Sequence, residues 1–199
     1  MTKIITGATV SLDGYLAGPE ESGFDLLFEW YGNGDVEVGT ASPDVPAMRL
    51  SAASAELVQR EWGSTGALVV GRHLYDLTNA WGGRHPIDVT TVVLTHRRPA
   101  DRPEDDENFV FVTDGIEAAV SRAKELAGDG NVVVNGGQMA RQALEAGLLD
   151  EVAIELVPVV LGSGKSLFGE LRATPVQFDG PTAVVEGKGV THLRYRVKK

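Results

Sequence analysis

One segment of this chain has the residue types that bind phosphate through the main chain. Asn135-Gly136-Gly137-Gln138 directly follows the apolar residues 132–134 and directly precedes a stretch with helical spacing. Paired glycines allow the phosphates of a ligand to approach the backbone, and a helix start offers free N–H groups and a favourable dipole. The alternative is a tight strand–helix turn that needs glycine only for its conformation, and the segment alone does not decide between the two.

Two other apolar runs end in cationic or hydroxyl side chains. Gly71-Arg72-His73 follows residues 67–70, and Thr95-His96-Arg97 follows residues 90–94. Arginine offers a forked, charged donor that suits phosphate, although a solvated surface position is the simpler interpretation of Arg72 taken alone. Ligands bind outside the carboxyl ends of the strands in an open α/β sheet. The combination therefore predicts a groove for a ligand with several phosphates, such as a dinucleotide.

Two carboxylates are candidates for proton transfer. Asp13 ends the first predicted strand, and Glu155 lies in an otherwise apolar one. A proton donor must reach the reacting atom of the substrate, and burial in a cleft favours the protonated form of a carboxyl group. For Asp13 the alternative is turn formation by Asp-Gly. For Glu155 the alternative is an outward-facing position on an alternating strand.

The segment Gly162-Ser163-Gly164-Lys165-Ser166 ends like a phosphate-binding P-loop. The earlier glycine of that motif is missing, since position 159 is a valine, and no helical pattern follows. We therefore predict a tight turn after a strand at this place.

Five aromatic side chains have the size and shape to enclose a flat substrate: Phe24, Phe28, Trp30, Tyr31 and Trp81. The first four lie in residues 18–46, a glycine-rich segment without a clear period. Loops of that length are usually functional or mobile. Aromatic residues also fill protein cores, so a substrate wall and a core position are both open for each of them.

The hydrophobic pattern predicts the elements that position these residues. Strands are predicted at Ile4–Val10, 67–70, 90–95, Phe109–Val112, Asn131–Asn135, 152–161, 183–186 and 191–197. Helices are predicted at 47–62, from Arg72 onward, at 116–126 with Asp114 as N-cap, and at Gln138–Glu145. Continuous apolar strands indicate a sheet that is covered on both faces. The order of elements predicts an α/β fold with a mostly parallel sheet and antiparallel C-terminal strands at one edge.

Composition restricts the kinds of protein that this chain can be. It has 199 residues, a net charge of −10 and no cysteine. The length fits one domain over residues 1–199. The acidity argues against nucleic acid or a membrane surface as a partner, and the missing thiols exclude disulfides, thiolate zinc sites and cysteine nucleophiles.

Localisation and the remaining charged groups are predicted from the same sequence. The four histidines show no metal-ligand spacing, so no metal is expected. An N-terminus without the pattern of a signal peptide predicts a soluble cytoplasmic protein. The acidic residues 100–108 are predicted to be a solvated connection.

Five motifs occur in an order that resembles a known family. They are Ser11-Leu12-Asp13-Gly14, Val70-Gly71-Arg72, Val92-Val93-Leu94-Thr95-His96, Val133-Val134-Asn135-Gly136-Gly137 and Val157-Pro158-Val159-Val160-Leu161-Gly162-Ser163-Gly164. Together they resemble the reductase domain at the C-terminus of the bifunctional riboflavin-biosynthesis deaminase–reductase, over essentially the whole chain and without the deaminase half. The resemblance implies a three-layer dihydrofolate reductase-like fold, a homodimer formed through the C-terminal strands, and a small heterocyclic substrate. The substrates of the stand-alone members are mostly unassigned.

The resemblance also implies NADPH as the reductant and hydride transfer to a C=N or C=O bond. Carried over position by position, the resemblance implies that Thr9, Leu16 and Ala17 contact the nicotinamide and that Gly71, Arg72 and His73 contact phosphate. It implies that Thr95, His96 and Arg97 surround the adenosine ribose and its 2′-phosphate. It also implies that the pyrophosphate is bound by Asn135, Gly136, Gly137, Gln138 and Met139. The family fold usually has a cis peptide at the double glycine, which corresponds here to Gly136–Gly137.

Two other functions are open at the level of the sequence. A dinucleotide- or flavin-binding module without turnover would need the same phosphate-binding features, although the Gly-x-Gly-x-x-Gly fingerprint is absent. A pteridine or folate reductase is the second alternative. Dihydrofolate reductases carry their acid on the helix after the long loop, and the helix predicted at 47–62 offers Glu56 and Glu61 without a convincing match.

Overall fold

The computed structural model describes residues 2–100 and 106–198, so residues 101–105 of the predicted acidic connection lie outside the described residues. The strands are β1 Ile4–Val10, β2 Tyr15–Ala17, β3 Val36–Val38, β4 Met48–Leu50, β5 Thr65–Gly71, β6 Thr90–Leu94, β7 Phe109–Val112, β8 Asn131–Asn135, β9 Glu151–Leu156, β10 Lys165–Ser166, β11 Phe178–Gly187 and β12 Val190–Val197. The helices are α1 Phe24–Leu27, α2 Ala52–Ser64, α3 Arg72–Leu77, α4 Ile116–Ala127 and α5 Gln138–Glu145, with 3₁₀ turns at Pro19–Glu21, Glu29–Tyr31 and Asn79–Gly83.

An eight-stranded sheet forms the centre of the protein, in the order β11-β12-β9-β1-β8-β5-β6-β7. The six strands from β9 to β7 run parallel, whereas β12 is antiparallel to β9 and β11 is antiparallel to β12. This arrangement confirms the predicted mostly parallel sheet with an antiparallel C-terminal edge. Because parallel neighbours share one direction, the carboxyl ends of β1, β8, β5 and β6 meet at the same edge of the sheet.

Helices cover both faces of the sheet. On one face, Val69 of β5 packs with Val120 of α4 and Leu144 of α5. On the other face, the neighbouring Val70 packs with Tyr75 of α3, and α2 lies on this side as well. Successive residues of a strand point to opposite faces, so the continuous apolar run in β5 is buried on both sides. The result is the three-layer α/β fold that was predicted.

The helix predicted at 47–62 begins later than expected. Met48–Leu50 forms β4, which pairs with β3, and α2 starts only at Ala52. The hydroxyl of Ser51 accepts a hydrogen bond from the backbone N–H of Ser54 at 3.4 Å and so caps the helix. The paired strands require residues 48–50 to be extended, which overrides the helical spacing of their apolar side chains.

Three other boundaries also differ from the prediction. Helix α4 is preceded by Gly115 with φ of +90° and has no side-chain cap, so Asp114 is not the N-cap. Strand β9 ends at Leu156, and Pro158 lies beyond it. Residues 18–46 contain α1, β3 and two 3₁₀ turns instead of an irregular loop. In the described part of the chain, none of the helices is long and apolar enough to cross a membrane.

Candidate active site

A cleft of about 2060 Å³ opens along the carboxyl ends of the parallel strands and continues over the sheet beneath α2. It is lined by every residue that the family resemblance assigned to the cofactor: Thr9, Leu16, Ala17, Gly71, Arg72, His73, Thr95, His96, Arg97, Asn135, Gly136, Gly137, Gln138 and Met139. Pockets for a single small ligand usually measure about 300–1,000 Å³. The cleft therefore has room for a large ligand and a second, smaller one.

The ends of β5 and β6 are joined by Arg72. Its Nε lies 2.8 Å from both carboxylate oxygens of Asp76, and one terminal nitrogen donates to the carbonyl oxygen of Arg97 at 3.2 Å. The hydroxyl of Thr95, which is buried, also donates to that carbonyl at 3.0 Å. These bonds hold the turn after β6 in place, so that His96 and Arg97 are exposed at the rim of the cleft.

The double glycine connects β8 to α5 in a conformation that only glycine adopts readily. Gly137 has φ of +74° and precedes a helix start without a side-chain cap. A Cβ on Gly136 would lie 3.0 Å from Leu16 Cδ1 and 3.3 Å from Ala8 Cβ, so a side chain there would be crowded. The first N–H groups of a helix have no acceptor within the helix. A main-chain cradle with free donors thus faces the cleft.

The peptide bond between Gly136 and Gly137 is trans, contrary to the expectation from the family resemblance. Among the described residues, the cis peptides are Thr174–Pro175 and Gly180–Pro181. The turn after β8 is made instead by the positive φ of Gly137. The N–H of Gly137 donates to the carbonyl oxygen of Leu167 at 2.7 Å, which fixes the turn against the bend that follows β10.

Lys165 is a cleft residue that was not predicted as part of the site. It follows a glycine-rich turn and enters the two-residue strand β10 rather than a helix, which confirms that this segment is not a P-loop. Its ammonium group contacts the carboxylate of Glu21, and so does His73 Nε2. Hydrogen bonds from Lys165 and His73 hold the pKa of Glu21 below its usual range. In the sequence Lys165 lies between small residues after a strand, in the segment that was predicted to be only a tight turn.

A polar cluster forms the floor of the cleft beneath α2. The guanidinium of Arg194 binds both carboxylate oxygens of Glu61 at 2.6 and 2.7 Å and Oε1 of Glu155 at 2.7 Å. The other oxygen of Glu155 contacts Nδ1 of the fully buried His192, whose Nε2 lies 2.8 Å from the hydroxyl of Ser54. Glu155 therefore faces the cleft rather than solvent outside it, and 16% of its side chain is exposed.

Charges within this cluster alter the acidity of its members. Burial by itself would lower the pKa of Arg194, but hydrogen bonds and charges from Glu61 and Glu155 outweigh it and raise that pKa. Burial, together with the charge of Glu155, raises the pKa of the nearby Tyr31 to about 12, against a hydrogen bond with Thr9 that lowers it. The tyrosine hydroxyl therefore stays neutral and available as a hydrogen-bond donor at physiological pH.

The five aromatic residues all line the cleft, and two of them also belong to the core. Trp30 and Trp81 are only 4% and 8% exposed and pack within hydrophobic clusters. Phe28 and Tyr31 have ring centroids 5.0 Å apart at the open side. Trp30 contacts Tyr31 with ring centroids 4.5 Å apart, whereas Trp81 stacks on Phe109 in another cluster. The core interpretation thus holds for the two tryptophans, and the substrate wall stays a prediction.

Asp13, the other carboxylate predicted to transfer protons, lies outside the lining of the cleft, in the turn after β1. Its carboxylate accepts hydrogen bonds from the Ser11 hydroxyl at 2.5 Å and from the backbone N–H groups of Leu161 and Gly162 at 3.1 and 2.7 Å. The bond from Ser11 is the main cause that lowers the pKa of Asp13. These bonds tie the turn after β1 to the segment after β9.

The chain is similar to proteins of one family in sequence. The model of the RibD C-terminal domain matches residues 2–187. The uncharacterized protein YwjB of Bacillus subtilis (strain 168) is 27% identical over 170 residues, which are 85% of this chain and 84% of YwjB. A second protein of that organism, YyaP, is 32% identical over 69 residues, or 35% of this chain and 37% of YyaP.

Several solved structures have a similar fold, including the following three. A Shewanella sp. PV-4 protein named for riboflavin biosynthesis has a TM-score of 0.70 and 22% identity over the whole of both chains. The deaminase/5-amino-6-(5-phosphoribosylamino)uracil reductase of Thermotoga maritima has a TM-score of 0.66 and 14% identity over 99% of this chain and 57% of its own. The Enterococcus faecalis dihydrofolate reductase complexed with NADP(H) has a TM-score of 0.56 and 15% identity over 99% and 97%.

These likenesses agree with the fold described above, a mostly parallel α/β sheet of the dihydrofolate reductase type. The family match spans nearly all of the chain and includes every strand end that lines the cleft. The chain belongs to the RibD C-terminal domain family.

Proposed function

We propose that this protein is an NADPH-dependent reductase that reduces a C=N or C=O bond in a small heterocyclic substrate. The observation that carries the proposal is the shape of one cleft. Its outer part gathers the glycine, arginine and hydroxyl groups of three strand ends, and its inner part has an aromatic wall above a carboxylate. A reductase of this kind needs both parts in continuity, because the hydride donor and the acceptor must be in contact.

The residues at the strand ends fit a dinucleotide. A Cβ on Gly137 would meet only Leu16 Cδ1, at 3.7 Å, so the backbone beside the first N–H groups of α5 is open, which suits a pyrophosphate. Arg72 and His73 lie at the end of β5 for a phosphate, and Arg97 lies at the exposed rim for the 2′-phosphate. Thr95 and His96 would surround the ribose, and Thr9, Leu16 and Ala17 would lie along the nicotinamide. NADPH, when bound, supplies the hydride.

Glu155 is the residue that we assign to proton transfer. It lies on β9 directly beside Thr9 of β1, and its carboxylate is oriented by Arg194 on one oxygen and by His192 on the other. Reduction of a C=N or C=O bond requires a proton on the nitrogen or oxygen atom as the carbon takes up hydride. We do not assign this role to Asp13, because its carboxylate is bonded to the backbone of the segment after β9.

Cofactor preference tests the outer part of the cleft. The substitution Arg97→Ala should weaken NADPH binding about 10- to 100-fold, because it removes a charged hydrogen bond to the 2′-phosphate, and should change NADH binding much less. Binding can be followed by quenching of tryptophan fluorescence, since Trp30, Trp62 and Trp81 all line the cleft. Arg60→Ala, an exposed position on α2, is the matched control. Equal losses of affinity for NADPH and NADH would count against the assignment.

Turnover tests the inner part of the cleft. NADPH oxidation is measured across a panel of pyrimidine, pteridine and flavin compounds, and we expect at least one of them to be reduced. Tight NADPH binding with no turnover anywhere in the panel would instead support a dinucleotide-binding module.

A further inference from the structure

The carboxylate of Glu21 lies between two basic side chains from distant parts of the chain. It contacts both His73 Nε2 and Lys165 Nζ, and these two nitrogens are 3.2 Å apart. His73 is in the first turn of α3 and Lys165 begins β10, and all three side chains line the cleft. The negative charge of Glu21 stabilises the close approach of His73 and Lys165.

The backbone at Glu21 has a conformation that non-glycine residues seldom adopt. Glu20 and Glu21 have φ of +53° and +60°, in the left-handed region. The surrounding loop is closed by a hydrogen bond from the N–H of Gly18 to the carbonyl oxygen of Ser22 at 2.8 Å. Such a conformation persists only where the surroundings impose it. The backbone bonds between Gly18 and Ser22 and between Ser22 and Pro19 supply that constraint, and they place the Glu21 side chain beside the two basic groups.

Lys165 is brought to this place by the glycine before it. Gly164 has φ of +141°, and a Cβ on it would lie 1.9 Å from the carbonyl oxygen of Ala17, so a side chain is excluded there. Strand β10 can then pair with β2, with Lys165 opposite Ala17. Two residues further on, Leu167 accepts the N–H of Gly137. The lysine is thus built into the same wall as the double-glycine cradle.

We propose that Lys165 and His73 form a binding position for a phosphate group and that the carboxylate of Glu21 competes with that phosphate for it. This proposal rests on the proposed function, since a phosphate of NADPH is the expected occupant. The side chains of His73 and Lys165 are 67% and 52% exposed, and exposed ion pairs contribute little to stability. The pyrophosphate of NADPH carries two negative charges, one on each phosphate, and more acceptor oxygens than a carboxylate, so it displaces Glu21 at small cost.

The decisive comparison is between two neighbouring glutamates. Glu21→Gln removes the competing charge and should tighten NADPH binding about 3- to 10-fold. Glu20→Gln makes the same change of net charge at the adjacent exposed position, which does not line the cleft, and should alter the affinity by less than about 2-fold. Dissociation constants are measured by calorimetry on the full-length protein at fixed ionic strength.

A second pair of variants tests whether the effect passes through Lys165. Lys165→Gln should weaken NADPH binding, and the gain from Glu21→Gln should shrink in the Lys165→Gln background, because the two residues interact. An undiminished gain in the double variant would contradict the proposed competition.

Three probes identify the source of the phosphate: NADPH, inorganic pyrophosphate and ribose 5-phosphate. A gain in the Glu21→Gln variant for NADPH and pyrophosphate assigns the position to the cofactor, and a gain for ribose 5-phosphate alone assigns it to a phosphate of the substrate. Equal gains in both glutamate variants, or no gain with any probe, overturn the proposal. If NADPH binds neither protein while pyrophosphate still shows the gain, the proposed function fails and the phosphate position stands.

Discussion

Arg194 is the residue around which the polar floor of the cleft is arranged. Its planar guanidinium is 11% exposed and forms a forked pair with Glu61 while it also binds Glu155. Forked arginine–carboxylate pairs are geometrically specific. Removal of one member of a buried ion cluster leaves a charge uncompensated, which is costly. Arg194 thus holds Glu155 at a fixed place beneath the aromatic wall.

The role of Glu155 predicts a loss of catalysis without a loss of cofactor binding. Glutamine has nearly the shape of glutamate but can neither take up nor release a proton, so Glu155→Gln should lower kcat about 100-fold or more. The dissociation constant of NADPH should stay within about 2-fold of that of the unmodified protein. Steady-state kinetics and fluorescence titration measure the two quantities. Glu56→Gln, at an exposed position on α2, is the control, and equal activity of both variants would reject the assignment.

His85 predicts how the stability of the protein depends on pH. Burial lowers the pKa of His85 from 6.5 to about 4, and its ring lies against Trp81 with centroids 4.5 Å apart. Between these pH values the unfolded chain binds a proton at this histidine and the folded protein does not. The free energy of unfolding should therefore fall as the pH falls from 6.5 towards 4, by up to about 3 kcal/mol from this residue.

Urea unfolding at about pH 7.5 and about pH 4.5 measures this loss of stability. The control is His85→Phe, which keeps a ring against Trp81 and cannot bind a proton. It should lose less stability on acidification than the unmodified protein. Parallel losses in both proteins would show that His85 does not contribute.

At the scale of elements, two glycines lie close to the junction of α2 and β5, and their surroundings differ. Gly63 lies near the end of α2 and would have open space around a Cβ. Gly66 lies in β5 at a register shift against β8, and a Cβ on it would lie 2.3 Å from the carbonyl oxygen of Ala127 in α4. The missing side chain at Gly66 therefore allows α4 to approach the sheet.

Two alanine substitutions three residues apart should then change stability in opposite directions. Gly63→Ala should stabilise the protein by about 0.5–1 kcal/mol, since alanine is the better helix residue. Gly66→Ala should destabilise it by about 1–3 kcal/mol, since the backbone of α4 must move. Chemical denaturation measures both changes. Destabilisation by both variants would show that the end of α2 does not tolerate alanine.

The bounds of the helices and strands show where the local sequence was sufficient to predict the structure. Helix α5 has the predicted bounds, because its apolar face and the glycines that flank it are local signals. Residues 48–50 were predicted as helix but pair with β3, a partner ten or more residues away. Gly115 replaces Asp114 as the residue before α4, because the turn after β7 requires a positive φ there. Non-local pairing and backbone geometry decide such cases.

At the scale of the whole molecule, the C-terminal hairpin leaves β11 at the edge of the sheet. An unpaired edge strand can pair with another chain, and Val184 on β11 is 53% exposed. We propose that the protein forms a homodimer through these C-terminal strands, as the family resemblance implies.

Sedimentation equilibrium should then give twice the mass of a single chain. Val184→Glu should shift the protein towards the monomer, because it places a charge in the apolar contact. Leu26→Glu, at a 46% exposed position on α1, should leave the mass unchanged. A monomeric unmodified protein would reject the dimer.

The sequence by itself determined that the glycines, arginines and hydroxyl groups after β5, β6 and β8 would share one edge of the sheet. Each group directly follows its own strand, and parallel strands bring their carboxyl ends together, so local pattern was enough to predict their convergence on one cleft.

Only the tertiary structure decided which charged groups meet inside that cleft. The register of β9 with β12 places Glu155 opposite His192 and within reach of Arg194, and Glu21 meets Lys165 across 144 residues of chain. Asp13 is bonded to a segment 148 residues away, a contact that its place in the sequence did not indicate. Contacts between residues so far apart depend on strand register and loop conformation, which no local pattern of residues specifies.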